Sequence, residues 1–306
     1  MVVNLEPGNY VVAVSGGVDS MVLLHILHSQ YGGEQDMYQF VVAHYDHGIR
    51  PDSMVDASLV ENTARSLGLA YEGGQGYLGE NASEALAREK RYDFLRGVQQ
   101  RVHANAIITA HQQDDVLETA IMNLLRGTGR KGLTSLASTG MLVRPLLDIT
   151  KQDILVYAKS HNVAWREDNT NQDTAYTRNR IRHTILAKFK EKDRRKLLEI
   201  IDKQRSINQQ IDDAVTRVIP LDAVELSRAV IVQVPYAVSC ELLASWLRAH
   251  GLEFDQKTIH RLAVGVKVLQ AGRGIEASGG RVVLVNKQTI ALDQTQRSGK
   301  TPYKAV

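Results

Sequence analysis

Short apolar runs alternate with longer amphipathic runs over the first 150 residues of the chain. The apolar runs have strand length, and the amphipathic runs repeat their apolar residues with the helical period. The predicted strands are residues 10–14, 40–44, 106–109 and 141–143. The predicted helices are residues 21–29, 53–67, 83–98, 115–126 and 150–161. This alternation is typical of an α/β fold with a doubly wound parallel sheet, which binds ligands at the carboxyl ends of its strands.

The pattern changes beyond residue 190. A long polar helix is predicted at 193–219, followed after Pro220 by helices at 240–250 and 256–270 and strands around 274–277 and 281–285. The predicted parts are a catalytic domain at 1–190, a helical connector at 191–220 and a smaller α+β domain at 221–306. Trp246 and Leu243 are assigned to the core of the last part.

Composition limits the class of protein. The chain has 306 residues, of which 43% are apolar, as in a soluble globular protein of about two domains. The amino terminus carries no signal-peptide pattern, and no apolar run is long enough to cross a bilayer. We therefore expect a cytoplasmic protein without a membrane partner. The single cysteine, Cys240, excludes an intrachain disulfide and a cysteine-based metal or iron–sulfur site within one chain.

Positive charge is concentrated in one segment. Residues 178–196 hold nine Lys or Arg against Glu191 and Asp193, a balance of +7, so a net charge of +3 leaves the remainder at −4. A solvated helix face is the ordinary interpretation of such a run. Beside a nucleotide site, a polyanionic partner such as RNA is the better one.

The hexapeptide SGGVDS follows the first predicted strand and precedes the first predicted helix. A glycine-rich turn at a helix start presents backbone N–H groups and the positive end of the helix dipole to an anion. The hydroxyl groups of Ser15 and Ser20 add donors, and Asp19 can hold Mg²⁺. No lysine follows the glycines, so the motif is not a Walker loop. It resembles the PP-loop of ATP pyrophosphatases.

Two further polar motifs follow predicted strands. The first, HYDHGIR, begins at His44, and we expect nucleotide or substrate contacts from it rather than a metal site on its two histidines. The second, HQQDDVLET, begins at His111 and places Asp114, Asp115 and Glu118 at a helix start. These acids are either helix caps or, with Asp19, the holders of Mg²⁺ on ATP.

Six motifs in this order resemble the tRNA(Ile)-lysidine synthetase family: SGGVDS, HYDHGIR, ALAREKRY, HQQDDVLET with RGTG, RPLL and RNRIRH. The resemblance is dense over the first two thirds of the chain. Residues 221–306 resemble the family's first C-terminal domain more loosely. We expect no counterpart of the second C-terminal domain that longer members have.

The resemblance implies an RNA-modifying ligase whose cofactors are ATP and Mg²⁺. ATP would adenylate the wobble cytidine of tRNA(Ile) with a CAU anticodon, and free L-lysine would then displace AMP to give lysidine, which changes decoding from AUG to AUA. The C-terminal domain would bind tRNA or substrate. The sequence leaves open a monomer or a homodimer.

Site residues are carried over from the family by matching position. Those implied for ATP are Ser15, Gly16, Gly17, Val18, Asp19, Ser20, His44 and His111. Those implied for catalysis are Asp19, Asp115 and Glu118, with Asp19 and Asp115 as holders of Mg²⁺. Those implied for tRNA or lysine are Asp46, Arg88, Arg91, Asp114, Arg144, Asn179, Arg180 and Arg182. Arg88, Arg91 and Arg144 can also be interpreted as ordinary solvated arginines.

Three alternatives remain. A PP-loop tRNA sulfurtransferase would keep the fold, but it needs paired cysteines or an iron–sulfur cluster. A small-molecule amidating ligase would have no use for the basic segment. A non-catalytic RNA-binding relative would not need the acids, yet Asp19, Asp115 and Glu118 all stand in intact motifs.

Overall fold

The computed structural model describes residues 1–48, 53–76, 79, 83–166, 177–277 and 280–293. The chain divides into two units, Met1–Asp202 and Lys203–Val306. The boundary falls inside the segment that the sequence assigns to a connector, so the connector at 191–220 stays a prediction. No helix among the described residues has both the length and the apolarity needed to cross a membrane.

A parallel sheet of five strands forms the centre of the first unit, and it confirms the predicted doubly wound α/β class. Its strands are β1 (Gly8–Ala13), β2 (Tyr38–Asp46), β3 (Ala70–Gln75), β4 (Ala106–Thr109) and β5 (Leu142–Val143). The strand order is β3-β2-β1-β4-β5. Strand β3 is absent from the sequence prediction, because its segment AYEGGQ lies at the sheet edge with no buried residue to produce an apolar run.

Among the described residues, five helices connect or cover these strands, and a sixth packs against the fourth of them. They are α1 (Val18–Tyr31), α2 (Ser53–Ser66), α3 (Glu84–Arg101), α4 (Gln113–Leu125), α5 (Lys151–Ser160) and α6 (Thr177–Thr184). Ser83 caps α3 and Thr150 caps α5, each accepting a hydrogen bond from a backbone N–H three residues on. Helix α4 starts two residues earlier than predicted, which moves Asp115 into its first turn.

Alternate residues of β1 face opposite sides of the sheet. Tyr10 and Val12 pack into a core that includes α1, α2 and α5, whereas Val11 and Ala13 belong with Leu95 of α3 on the other side. A strand with helices on both faces is buried on both, which accounts for the continuous apolar run in the sequence.

The pairing register aligns three strand ends at one edge of the sheet. Ala13 of β1 is paired with Ala43 of β2 on one side and with Thr109 of β4 on the other. The chain order reverses between β1 and β4, which is the switch point where doubly wound sheets bind ligands. The motifs SGGVDS and HQQDDVLET follow their strands at this edge, and HYDHGIR begins within the last residues of β2.

The second unit combines an antiparallel sheet with helices, and the long helix α7 (Glu191–Val218) leads into it. The remaining elements are β6 (Glu225–Ser227), α8 (Arg228–Gln233), α9 (Tyr236–Ala249), α10 (Gln256–Val268), β7 (Arg273–Glu276), β8 (Val282–Val285) and β9 (Thr289–Leu292). The strand order is β6-β9-β8-β7. Trp246 and Leu243 are buried as predicted, and the indole N–H of Trp246 donates to the carbonyl oxygen of Ala223 at 2.7 Å. Ser278 and Gly279, which stand between β7 and β8 in the sequence, lie outside the described residues.

Two leucines of α4 provide a test of the core. Leu117 is 0% exposed and Leu124 is 67% exposed. Replacing Leu117 by Ala should lower the free energy of unfolding by about 2–5 kcal/mol, because the lost contacts leave a cavity. The matched Leu124→Ala change should stay within about 0.5 kcal/mol. Urea unfolding followed by circular dichroism measures both, and equal effects of the two changes would contradict the packing of α4.

Candidate nucleotide and RNA site

The SGGVDS loop forms an uncapped helix start. Gly17 has extended backbone angles directly before α1, and no side chain caps the helix. The first N–H groups of α1 therefore lack helical or side-chain acceptors and can bind an anion. The hydroxyl of Ser20 donates to the carbonyl oxygen of Gly17 at 2.9 Å and accepts from the N–H of Ser15 at 3.1 Å, so it shapes the loop from within.

Gly16 allows the loop to pass close to α2. Its φ of +89° is disfavoured for residues with a side chain, and an added Cβ would lie 3.4 Å from the Cβ of Asp56. The Nε of Arg166 lies 3.3 Å from Oδ1 of Asp56, and the N–H of Arg166 donates to the carbonyl oxygen of Gly16 at 3.0 Å. These contacts of Arg166 fix the backbone of the loop at Gly16 beside α2. Sequence reasoning missed Arg166, since it belongs to none of the motifs.

Asp19 lies in the first turn of α1, as the motif predicts. Its Oδ1 is 2.6 Å from the Nζ of Lys151, the first residue of α5. Lys151 is a second residue that sequence reasoning missed. A contact between residues 132 positions apart leaves no local signal in the sequence.

The end of β2 contributes a buried histidine and a buried acid. The Nδ1 of His44 lies 2.8 Å from the carbonyl oxygen of Val14, so this nitrogen carries the hydrogen and donates. Burial lowers the pKa of His44 and favours the neutral ring. Asp46 accepts from the N–H of Gly48 and from the hydroxyl of Ser53, one bond on each oxygen. Asp46 thus connects the end of β2 to Ser53, the first residue of α2. Ile49 and Arg50, the end of HYDHGIR, lie outside the described residues.

The start of α4 is closed by a capping box. The N–H of Gln112 donates to Asp115 Oδ2 at 2.9 Å, and the side chain of Gln112 accepts from the N–H of Asp114 at 2.8 Å. The helix-cap interpretation of these acids is thus correct for one oxygen of Asp115. Burial raises the pKa of Asp115, while the N–H of Gln112 and the guanidinium groups of Arg178 and Arg182 act in the opposite direction.

Glu118 is fully buried and binds arginines of α6. Its carboxylate accepts from Nε of Arg182 at 2.5 Å and from Nη2 of Arg182 at 3.2 Å, and Nε of Arg178 lies 3.5 Å away. Burial raises the pKa of Glu118, and the hydrogen bonds from Arg182 act in the opposite direction. Asp114 pairs in the same way with Arg194 of α7. The acids of HQQDDVLET therefore bind the basic segment itself.

A basic and aromatic cluster surrounds His111. The guanidinium groups of Arg88 and Arg91 lie 4.7 and 5.6 Å from the ring centre of Tyr92, in cation–π geometry. Arg144 is buried, and its guanidinium donates to the carbonyl oxygen of Ala137. Burial, reinforced by Arg144, Arg88 and Arg91, lowers the pKa of His111 to about 3. The structure thus brings Arg88, Arg91 and Arg144 together. From the sequence, each could also have been an ordinary solvated arginine.

The basic segment divides into internal and exposed charges. The internal ones are Arg178, Arg182 and Arg194, which pair with the acids of α4. The exposed ones are Arg180, Lys188, Lys190, Lys192, Arg195 and Lys196. Arg180 fits the predicted RNA contact, whereas Arg182 is engaged by Glu118 and Asn179 is half-buried. The sequence-derived charge of +7 overstates what this surface presents.

A magnesium ion would have to be held by few protein ligands here. The described residues contain no group of three or more His, Cys, Asp or Glu arranged to bind a metal. Asp19 and Asp115 nevertheless fit a nucleotide-bound Mg²⁺, which takes one or two carboxylates and completes its shell with phosphates and water.

Comparison with known proteins identifies relatives of the chain. A profile of the PP-loop domain family matches residues 1–189. The tRNA(Ile)-lysidine synthase of Thermus thermophilus is 42% identical over 190 residues, which are 60% of this chain and 36% of that protein. The one of Thermotoga maritima is 35% identical over 223 residues, 70% of this chain and 50% of that protein. The chain therefore spans only 36–50% of the length of these relatives.

Another relative has nearly the same length. The tRNA(Ile)-lysidine synthase of Chlorobaculum tepidum is 30% identical over 308 residues, which cover 92% of this chain and 90% of that protein. Among solved structures, the U34-tRNA thiolase NcsA of Methanococcus maripaludis, determined with its [4Fe-4S] cluster, matches with a TM-score of 0.57. Its identity is 17%, and the match covers 66% of this chain and 73% of that one, so it shows a shared fold.

The environment of His111 predicts a dependence of stability on pH. Its folded pKa of about 3 lies below the ordinary 6.5, so the unfolded chain takes up a proton first as the pH falls. Stability should therefore be lost below about pH 6.5, by about 2 kcal/mol between pH 7 and pH 5 from this residue. Urea unfolding at both pH values, for the wild type and His111→Gln, measures the difference.

His103 serves as the control for this experiment. It is exposed at a φ of 51°, which Asn tolerates, so His103→Asn should keep the wild-type pH dependence. The burial of a neutral His111 is wrong if His111→Gln shows the same loss of stability between pH 7 and pH 5 as the wild type.

Proposed function

Because the chain belongs to the tRNA(Ile)-lysidine synthase family of PP-loop proteins, we propose that it ligates free L-lysine to the wobble cytidine of the CAU anticodon of tRNA(Ile) at the expense of ATP. The products are lysidine, AMP and diphosphate, and decoding changes from AUG to AUA. These substrates meet in the cytoplasm, which is the proposed location.

The proposed reaction has two displacement steps. The carbonyl oxygen of the cytosine attacks the α-phosphorus of ATP, and diphosphate leaves with the electrons of the α–β bond. An amino group of lysine then attacks the activated ring carbon, loses a proton, and expels AMP through cleavage of the carbon–oxygen bond. Neither step requires a protein nucleophile, so positioning and charge stabilisation are the protein's contribution.

The observation that carries the proposal is the double role of α4. Its start follows β4 at the switch point, beside the loop that follows β1. One turn later, Glu118 binds Arg182 and so holds α6, the helix that presents Arg180 to solvent. Helix α4 therefore starts beside the anion site of the loop and holds the basic helix α6 one turn later.

Carboxylates and arginines have separate proposed roles at the strand ends. Asp19 and Asp115 would hold Mg²⁺, which when bound neutralises phosphate charge and polarises the α-phosphorus. Arg88 and Arg91, positioned by Tyr92, would contact the anticodon base or a phosphate. Asp46 and Glu118 already accept hydrogen bonds within the protein, so we give them supporting roles at the first residue of α2 and at α6.

A tRNA sulfurtransferase is the alternative with the same fold. The thiolase NcsA shares the fold and has an iron–sulfur cluster, whereas this sequence contains a single cysteine, Cys240, which packs half-buried against the core of the second unit. Sulfur transfer of that kind is therefore disfavoured. A non-catalytic RNA-binding relative would need Glu118, which holds the basic helix α6 through Arg182, but it would not need Asp19 in the loop. The presence of Asp19 therefore disfavours this alternative.

The ligation and the role of Asp19 are tested together. With labelled lysine, ATP, Mg²⁺ and total tRNA, the wild type should transfer lysine to an isoleucine tRNA and release diphosphate. Asp19→Asn should reduce diphosphate release at least about a hundredfold, because the loss of a metal-holding carboxylate costs several kcal/mol in the transition state. Binding of tRNA, measured by filter binding, should persist.

The control is Asp36→Asn, an exposed acid, which should retain full activity. Absence of lysine from tRNA with the wild type would refute the ligation. Unchanged turnover of Asp19→Asn would refute only the role of Asp19.

Neighbouring arginines of α7 test the RNA surface. Arg195 is exposed, whereas Arg194 pairs with Asp114. If Arg195 contacts a phosphate, Arg195→Gln should flatten the slope of log affinity for tRNA against log salt by about 0.7–0.9. Arg194→Gln should leave the slope unchanged and lower the stability instead. Titration of tRNA at several salt concentrations measures both, and equal slopes for Arg195→Gln and the wild type would exclude a contact at Arg195.

A further inference from the structure

Lys151 is carried by an anchored helix beside the nucleotide loop. Its helix α5 is anchored through Ile154 and Ala158, both fully buried in the core that also contains α1. Thr150 caps the helix directly before Lys151. The contact of its ammonium with Asp19, at 2.6 Å, therefore joins two rigid elements. The charge is held where the loop begins its helix.

The location of this charge is unfavourable for α5 itself. Lysine at the first position of a helix lies at the positive end of the helix dipole, where an acid is favoured. Asp19 is the one partner of the ammonium within the described part of the chain, and the two side chains are 39% and 29% exposed. An ion pair so accessible to water adds little stability. The fold alone gives little reason for a cation here.

A bound triphosphate gives that reason. The loop Ser15–Ser20 contains no basic residue, so its own donors are backbone N–H groups and hydroxyls. Diphosphate must leave with most of the negative charge of ATP, and a positioned cation stabilises charge that develops there. Lys151 is already in contact with the carboxylate in the first turn of α1. Its flexible stem allows the ammonium to turn from that carboxylate to a phosphate.

We propose that Lys151 is the phosphate-binding lysine of this site and contacts the β- and γ-phosphates of ATP, exchanging Asp19 for the nucleotide. The exchange frees Asp19 Oδ1 for the role proposed for it above. This inference rests on the proposed use of ATP, but it needs neither the RNA nor lysine. A competing role, in which Lys151 only orients Asp19, makes a different prediction for binding.

Binding of three probes to the complete chain separates these roles. Calorimetry with Mg²⁺ and ATP, inorganic diphosphate or AMP compares the wild type with Lys151→Gln, Lys151→Arg and Lys159→Gln. Lys151→Gln should lower the affinity for ATP and for diphosphate by about tenfold to a hundredfold, which corresponds to the loss of one charge-assisted hydrogen bond. The affinity for AMP should change by less than about threefold. Lys151→Arg should restore most of the affinity.

Lys159 is the matched control, since it is an exposed lysine in the last turn of the same helix. Lys159→Gln should bind all three probes as the wild type does. If Lys151→Gln binds ATP and diphosphate normally, the proposal is overturned, and a loss of turnover alone would then assign Lys151 to the orientation of Asp19.

Chemical protection provides a second test, on the wild type, that does not depend on the folding of a variant. Limited acetylation with mass spectrometry should show that diphosphate protects Lys151 while Lys159 reacts as before; equal acetylation of Lys151 with and without diphosphate would overturn the proposal. None of these measurements contains tRNA, so a failure of the proposed ligation would leave their outcome valid. Unchanged affinities would refute the role of Lys151 and leave the ligation standing.

Discussion

The parallel pairing of β1 with both β2 and β4 is the constraint on which the site depends. Parallel strands end at the same edge, and the register that aligns Ala43, Ala13 and Thr109 brings the three following segments together. Helices on both faces then become necessary, because the central strand β1 is buried on both sides. The loop, His44 and His111 are neighbours for this reason, although 67 positions separate His44 from His111 along the chain.

Buried charge is the second determinant of the first unit. Glu118 is enclosed, and an enclosed carboxylate is stable only when it is paired and hydrogen-bonded. Arg182 and Arg178 meet this requirement, so the position of α6 follows from the burial of one acid on α4. The same pairing removes charges from the surface that would meet RNA. The pairing of Glu118 with Arg182 and Arg178 thus both orients α6 and reduces the positive charge on the surface.

The sequence predicts the elements whose apolar residues are periodic, and it predicts the loop from its glycines. It misses β3 because an edge strand of AYEGGQ buries no residue. It locates the starts of SGGVDS, HYDHGIR and HQQDDVLET at one edge of the sheet, since the end of a strand is a local property. It cannot assign partners across the fold: the pairs Asp19–Lys151 and Glu118–Arg182 join residues 132 and 64 positions apart. Such pairs depend on packing, which periodicity does not report.

Helix α7 limits how the chain can be divided. Ile201 is buried in a core of the first unit, and Val215 is buried in the core of the second. A fragment that stops at Asp202 would break the helix in its middle and leave four carbonyl groups without partners. A fragment that continues to Val218 would expose Val215 and Ile211 to water. Truncation between the units therefore either breaks helical hydrogen bonds or exposes apolar side chains that lower solubility. The intact chain is the practical unit for expression and crystallisation.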